Sequence, residues 1–253
     1  MEQLHEKIKA VAALLEKSHY VVVLTGADVS SESKVPDFQS PGRGLWTMLD
    51  PDDFTIQRYK ENPNAFYEIG APFFNMLEQA EPNEAHTVLA ELERRSLVKS
   101  IITKNVDGLH QKAGSINVLE IYGTLKSASC ISCEWQVDIK DVAADIEKGL
   151  PPLCPKCREP LKPDVVFSGE PLPPDFYKAQ EEIIQADLVV AVGASLQASP
   201  TKELVAHIDN LVIINRTPTS FDQKAKIVIN DSPASVMKLL LKELDKRKQE
   251  EIK

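Results

Sequence analysis

Apolar residues at Leu4, Ile8, Val11, Leu14 and Leu15 share one face of a helix over 4–17. The pattern then changes period. Tyr20-Val21-Val22-Val23-Leu24 is apolar without interruption and runs into Thr25-Gly26-Ala27, as a strand buried on both faces does. Similar runs occupy 97–103, 188–192 and 211–215, with a last strand near 226–229. Helical periodicity over 85–95, 177–185 and 199–207 separates them. Strands of this kind alternating with helices predict an α/β fold, a parallel sheet with helices on both faces. Ligands of such sheets bind at the carboxyl ends of the strands. Here those ends are Thr25-Gly26-Ala27, Thr103-Lys104-Asn105-Val106-Asp107, Gly193-Ala194-Ser195 and Asn215-Arg216. They are rich in small and hydrogen-bonding residues, as a nucleotide cleft requires.

Two stretches interrupt the alternation. Residues 36–81 are dense in aromatics, including Phe38, Trp46, Phe54, Tyr59, Phe66, Tyr67 and Phe74, which predicts a small helical insertion packed around them. Residues 124–162 carry all four cysteines, as Cys130-x-x-Cys133 and Cys154-x-x-Cys157. Two such turns aim four thiolates at one metal, and a Cys₄ set leaves no open coordination position, so the expected ion is a structural Zn²⁺. Two disulfides are the competing reading. They are disfavoured because the chain opens on a polar helix-like segment and not a signal peptide, which argues for a reducing, cytoplasmic setting.

Composition changes this picture little. With 253 residues, 43% hydrophobic and 26% charged, the chain can bury a full core as an ordinary globular protein. No apolar run is long enough to span a bilayer. The net charge of -9 speaks against direct nucleic-acid binding and for basic partners such as lysine-rich tails. The Lys/Glu-rich segment 242–253 reads as a fraying terminal helix.

In order along the chain, several segments carry a recognisable pattern. Thr25-Gly26-Ala27-Asp28-Val29-Ser30 with Val35-Pro36-Asp37-Phe38 is similar to G-A-G-I-S…G-I-P-D-F. Pro82-Asn83-Glu84-Ala85-His86 resembles P-N-x-A-H, and Thr103 to His110 resembles T-Q-N-[IV]-D-G-L-H. After the cysteines come Pro163 to Glu170, near P-x-V-V-x-F-G-E, then Gly193-Ala194-Ser195-Leu196 for G-T-S-L and Ile214-Asn215 for the I-N pair. Together these segments resemble the sirtuin family, and the resemblance implies a Rossmann-like domain in three parts (1–35, 82–123 and 163–253), with the helical insertion (36–81) and zinc module (124–162) between them. It also implies that NAD and an acyl-lysine peptide or protein meet in the cleft. The acyl oxygen attacks the anomeric carbon as nicotinamide leaves, and a histidine then acts as general base on a ribose hydroxyl. By the same resemblance Asn105 orders the ribose, Asp107 reads the carboxamide, Phe38 shields the reacting face, Ser195 holds phosphate and Asn215 the adenosine ribose. Gly26, Ala27, Asp37, Lys104, Gly193, Ala194 and Asp231 complete the cofactor side, and Val166, Ser168, Gly169 and Glu170 the substrate side.

The departures fall on chemistry. Where the family has H-G, this chain has Tyr122-Gly123. Phenol titrates near ~10 and imidazole near ~6.5, so about a thousandth of Tyr122 is phenolate at neutral pH, and losing a general base costs about 10² to 10⁴ in rate. Asp28 replaces a glycine and Gln39 an arginine expected beside the phosphates. Lys104 replaces a glutamine near the reacting ribose and is a candidate partner for Asp28. Ser168 replaces an aromatic of the acyl-lysine tunnel, and Lys34 a glycine of the loop over the cofactor. The reading is a sirtuin-type protein with absent or feeble deacylation. The alternatives are an active NAD-dependent deacylase or ADP-ribosyl transferase, and a zinc-stapled interaction protein that does not bind NAD.

Overall fold

The computed structural model describes residues 2–35, 50–197 and 199–251. Helix α1 (Glu2–Lys17) precedes β1 (Val21–Thr25), all five residues of which are buried. After a 3-10 turn (Ala27–Ser33) come α2 (Ile56–Glu61), α3 (Pro63–Gln79) and α4 (Glu84–Arg94). The sheet resumes with β2 (Ser100–Thr103), short α5 (Leu109–Lys112) and β3 (Val118–Glu120). A second unit follows: β4 (Gly123–Cys130), β5 (Gln136–Asp138), α6 (Ala143–Ile146) and β6 (Leu161–Val165). The chain then closes with α7 (Pro174–Gln185), β7 (Leu188–Val192), α8 (Thr201–Val205), β8 (Leu211–Ile214), β9 (Ile227–Ile229) and α9 (Pro233–Glu251).

Six parallel strands form the main sheet, in the order β3-β2-β1-β7-β8-β9. The alternation of side chains across a strand explains the unbroken apolar runs. Val21 and Val23 face α1, α4 and α9, packing with Ile8, Leu15, Leu89 and Leu240. Val22 and Leu24 face the other way, toward Phe176, Ile183 and Leu204. Both faces are covered, so neither position tolerates a polar side chain. The strand order reverses between β1 and β7, and this crossover is where such sheets bind ligands.

The second unit is an antiparallel sheet, β5-β4-β6. It shares a core with the aromatic-rich helices: Tyr59, Phe66 and Tyr67 pack with Ile146 and Phe167. The hydroxyls of Tyr59 and Tyr67 both donate to the Leu161 carbonyl, each at 2.6 Å. The insertion and the cysteine segment, separate in the sequence, are therefore one small lobe in space. Among the described residues, no helix is long and apolar enough to cross a membrane.

Candidate functional site

The carboxyl ends of four strands are laced together. Lys104 N–H donates to Thr25 O at 3.1 Å, Asp28 N–H to Gly193 O at 3.1 Å, and Gly193 N–H to Ile214 O at 2.8 Å. Gly193 has φ 63, and a Cβ there would stand 2.3 Å from Val29 N. Only glycine permits that left-handed turn and close approach. Gly26 packs back to back with it, beside Ala194. The predicted cofactor-side residues Gly26, Ala27, Lys104, Asn105, Gly193 and Ala194 thus converge at the crossover. A small pocket lined by Ala27, Ser30, Phe73, Leu77, Asn105 and Asp107 opens beside it.

A closed polar network organises this corner. Asn83 caps α4, and its backbone N–H donates to His86 Nδ1 at 3.3 Å. With Nδ1 accepting, the neutral ring carries its proton on Nε2, 3.3 Å from Ser30 Oγ. Ser30 donates to Asp107 Oδ2 at 2.7 Å and accepts from Asn105 Nδ2 at 3.0 Å. Asn105 Nδ2 also reaches Gly26 O at 3.2 Å, while Asp107 Oδ1 accepts from Leu109 N–H at 3.0 Å. His110 Nε2 pairs with Thr25 Oγ1 at 2.9 Å, and the two histidine rings meet edge to face at 4.9 Å. Both rings are buried, and His110 Nδ1 has no hydrogen-bond partner among the described residues.

Burial drives the His86 pKa down to about 4 and holds His110 well below its usual value. The unfolded chain binds these protons near pH 6.5 and the folded chain resists them, so stability is complete above about pH 6.5. As pH falls from 6.5 toward 4, His86 alone is expected to remove roughly 3 kcal/mol. Urea titrations across that window check this, and a flat midpoint would refute the neutral assignment.

The carboxylate of Asp28 is paired, but not as anticipated. Its Oδ1 accepts from Arg216 Nε at 2.8 Å and its Oδ2 from Arg216 N–H at 3.3 Å. Arg216 Nη2 continues to Glu32 Oε1 at 2.7 Å, and Ser31 Oγ donates to Asp28 Oδ1 at 3.1 Å. This clasp joins the turn after β1 to the end of β8. The partner is Arg216 and not the candidate Lys104, because Arg216 follows closely on β8 and reaches across the crossover. The half-buried Lys104 ammonium has no ion pair among the described residues, and burial lowers its pKa. Lys34 adopts φ 63 at the end of the 3-10 turn, a left-handed conformation that costs a non-glycine residue about 1 kcal/mol or more.

Asn215 donates from Nδ2 to Thr217 O at 2.7 Å, while its Oδ1 is buried without a hydrogen-bond partner. Ser195 is half-buried in the turn after β7, and Asp231 is exposed, accepting from Ser232 N–H. Asp37, Phe38 and Gln39 lie outside the described residues.

Tyr122 is half-buried, and its hydroxyl donates to Ser199 O at 3.3 Å. Burial raises its pKa above the ordinary phenol value, and the charge of Glu203 pushes the same way. The next residue, Gly123, has φ 78, and a Cβ there would lie 2.0 Å from Asp164 O. Tyr122 O accepts from Val166 N–H at 2.9 Å, which ties it to the predicted substrate side. There Ser168 and Gly169 are exposed, and Ser168 bridges to Thr55. Glu170 is committed internally: it accepts from Phe167 N–H at 2.8 Å and pairs with buried Lys162 at 3.1 Å. Lys162 also donates to Pro163 O and Val165 O and stands 4.4 Å over the Phe167 ring.

In the small lobe all four sulfur atoms lie within 4.8 Å of one another. Cys130–Cys157, Cys133–Cys157 and Cys133–Cys154 are separated by 3.4, 3.5 and 3.6 Å. These are free thiols, so the disulfide reading is set aside. Four zinc–sulfur bonds of ~2.3 Å put the sulfurs of a tetrahedron about 3.8 Å apart. Donor chemistry and spacing both fit zinc in a closed, structural site. Sequence reasoning gave no role to Ser30, Arg216 or Lys162, whose partners are set by tertiary packing.

A model of the Sir2 family matches residues 26–200. An NAD-dependent protein deacetylase 2 of Caldanaerobacter subterraneus subsp. tengcongensis is 39% identical over 232 residues, covering 91% of this chain and 93% of that protein. A chain solved for the mechanism and regulation of Sir2 enzymes superposes with a TM-score of 0.85 at 38% identity, covering 95% of this chain and 98% of that one. Another, a Sir2 histidine-to-tyrosine mutant with p53 peptide and NAD, gives a TM-score of 0.83 at 34% identity, covering 93% and 98%.

Proposed function

Because this chain belongs to the Sir2 family, the sirtuins, we propose that it binds NAD or ADP-ribose together with an acyl-lysine peptide, and deacylates feebly or not at all. Tyr122 carries this reading. A base must accept a proton at neutral pH, and this hydroxyl keeps its own: its pKa is raised and it already donates to Ser199 O. When bound, NAD supplies the ribose carbon to which the acyl group is transferred as nicotinamide leaves. Around it, Asn105 and Asp107 present fixed polar atoms, and Lys104 presents a positive charge that opposes the charge developing on the sugar.

Three observations support ligand binding over an NAD-free scaffold. The unpartnered Oδ1 of Asn215 is a buried acceptor suited to a ribose hydroxyl. The charge of Asp28 is offset by Arg216, so the repulsion expected from its sequence is much reduced. A Sir2 protein with a histidine-to-tyrosine mutation has been captured with both NAD and p53 peptide, so a tyrosine in place of a histidine is compatible with holding both.

Calorimetric titration with NAD and ADP-ribose, followed by a nicotinamide-release assay with acetyl-lysine peptide, tests the proposal. Micromolar binding with release at or near the blank is expected; brisk peptide-dependent release would overturn it. Arg216→Gln should strip the countercharge from Asp28 and Glu32. A bare carboxylate ~5 Å from a phosphate repels by up to roughly 3 kcal/mol at an effective dielectric of ~20, less where solvent screens it. ADP-ribose affinity is therefore expected to fall about tenfold in Arg216→Gln and to change less in Asp28→Gly. An unchanged Kd in Arg216→Gln would remove the clasp from the account.

A further inference from the structure

A substantial cavity lies away from the cleft. About 470 Å³ in volume, it lies between the C-terminal half of α7 and α8, within the usual range of binding sites of ~300–1,000 Å³. Its apolar floor is Ile183, Leu204 and Ile208. Helix α7 spends Phe176, Ala179 and Ile183 on the sheet, which leaves Ile184 pointing outward, 81% exposed at the groove's rim.

The charged wall has one sign. Asp187, Glu203 and Asp209 line it together with His207, and no lysine or arginine is among its described lining residues. The Asp187 carboxylate is fixed in place by the amides of His19 and Tyr20, at 2.7 and 3.0 Å. Such a groove is complementary to an apolar side chain flanked by cations. One end of it touches the cleft: Glu203 accepts from Ser199 Oγ at 2.6 Å, and Ser199 O is the acceptor for Tyr122.

We propose that the α7–α8 groove docks a basic, apolar-bearing segment of the same protein that presents the acyl-lysine. This rests on the acyl-lysine reading above and adds to it a second, electrostatic point of attachment.

The test is fluorescence anisotropy on the zinc-loaded full chain. The labelled probes are a short neutral acetyl-lysine peptide, that peptide extended at either end by an arginine- and leucine-bearing segment, and the segment alone. In the wild type one extension should tighten binding about tenfold or more at low salt, and salt should erode the gain. Ile184→Arg combined with Asp209→Lys should abolish the gain while binding the short peptide unchanged, and both positions are exposed enough for the variant to keep the wild-type melting temperature. No gain from either extension, or a gain that survives in the variant, overturns the proposal. Binding of the segment alone without binding of the short peptide would uphold the docking surface and reject the acyl-lysine reading. No binding of any probe rejects both.

Discussion

Replacing Cys154 by serine, or stripping the metal with a strong chelator, is expected to unfold the small lobe while the parallel sheet persists. Zinc bound to four thiolates contributes on the order of 10–16 kcal/mol of apparent folding free energy in small zinc domains, more than any other single change here removes. Cys130 and Cys154 are buried and pack with Ala128 and Leu161, so the cysteine end of the lobe has little apolar core besides the metal site, in contrast to the aromatic end. The damage should spread through β6, because the Leu161 carbonyl receives both Tyr59 and Tyr67. The readouts are metal content, Trp135 fluorescence, and limited proteolysis, which should cut the small lobe first. A serine variant with full metal content and an unchanged melting curve would reject the zinc assignment.

The second large effect is a gain. Tyr122→His should raise deacylation by about 10² and at most ~10⁴, the range a general base supplies. An imidazole with an ordinary pKa near ~6.5 is largely deprotonated at neutral pH, whereas the buried phenol is not. The gain should appear in kcat and not in KM for NAD, since the phosphate-side charge of Asp28 is already offset. With the ribose placed beside Lys104 as proposed, the rate should still fall short of a full sirtuin rate, because that ammonium has no ion pair among the described residues; adding Lys104→Gln should recover more. A rate unchanged in Tyr122→His would show that the missing base is not what limits turnover. A full rate in the single variant would show that Lys104 is harmless.

What the sequence disclosed, it disclosed through period and spacing. Val21 to Leu24 reads as a doubly covered strand because both faces demand apolar side chains. The cysteine pairs read as a metal site because their spacing is local geometry. Strand β3 escaped notice, since three residues at a sheet edge, Val118-Leu119-Glu120, carry too short a pattern. The onset of α9 at Pro233 was missed although Val236, Met237, Leu240 and Leu244 make a buried stripe at helical spacing; only its Lys/Glu-rich end reads as helix. Pairings across the fold were out of reach in principle: Asp28 and Arg216 are 188 positions apart, and Lys104, far nearer Asp28 in the sequence, was the natural guess. The direction of the Tyr122 hydroxyl depends on Ser199, in a turn 77 residues away. The union of aromatic insertion and cysteine segment depends likewise on contacts that no local window contains.

The clasp also constrains how this sequence can change. Replacing Asp28 by glycine first leaves Arg216 still paired with Glu32, and the chain passes through a tolerable intermediate. Replacing Arg216 first strands the Asp28 and Glu32 carboxylates together without the countercharge they share. The two substitutions are therefore epistatic and ordered: of the two routes to a glycine at position 28, only the one that begins there avoids the stranded pair.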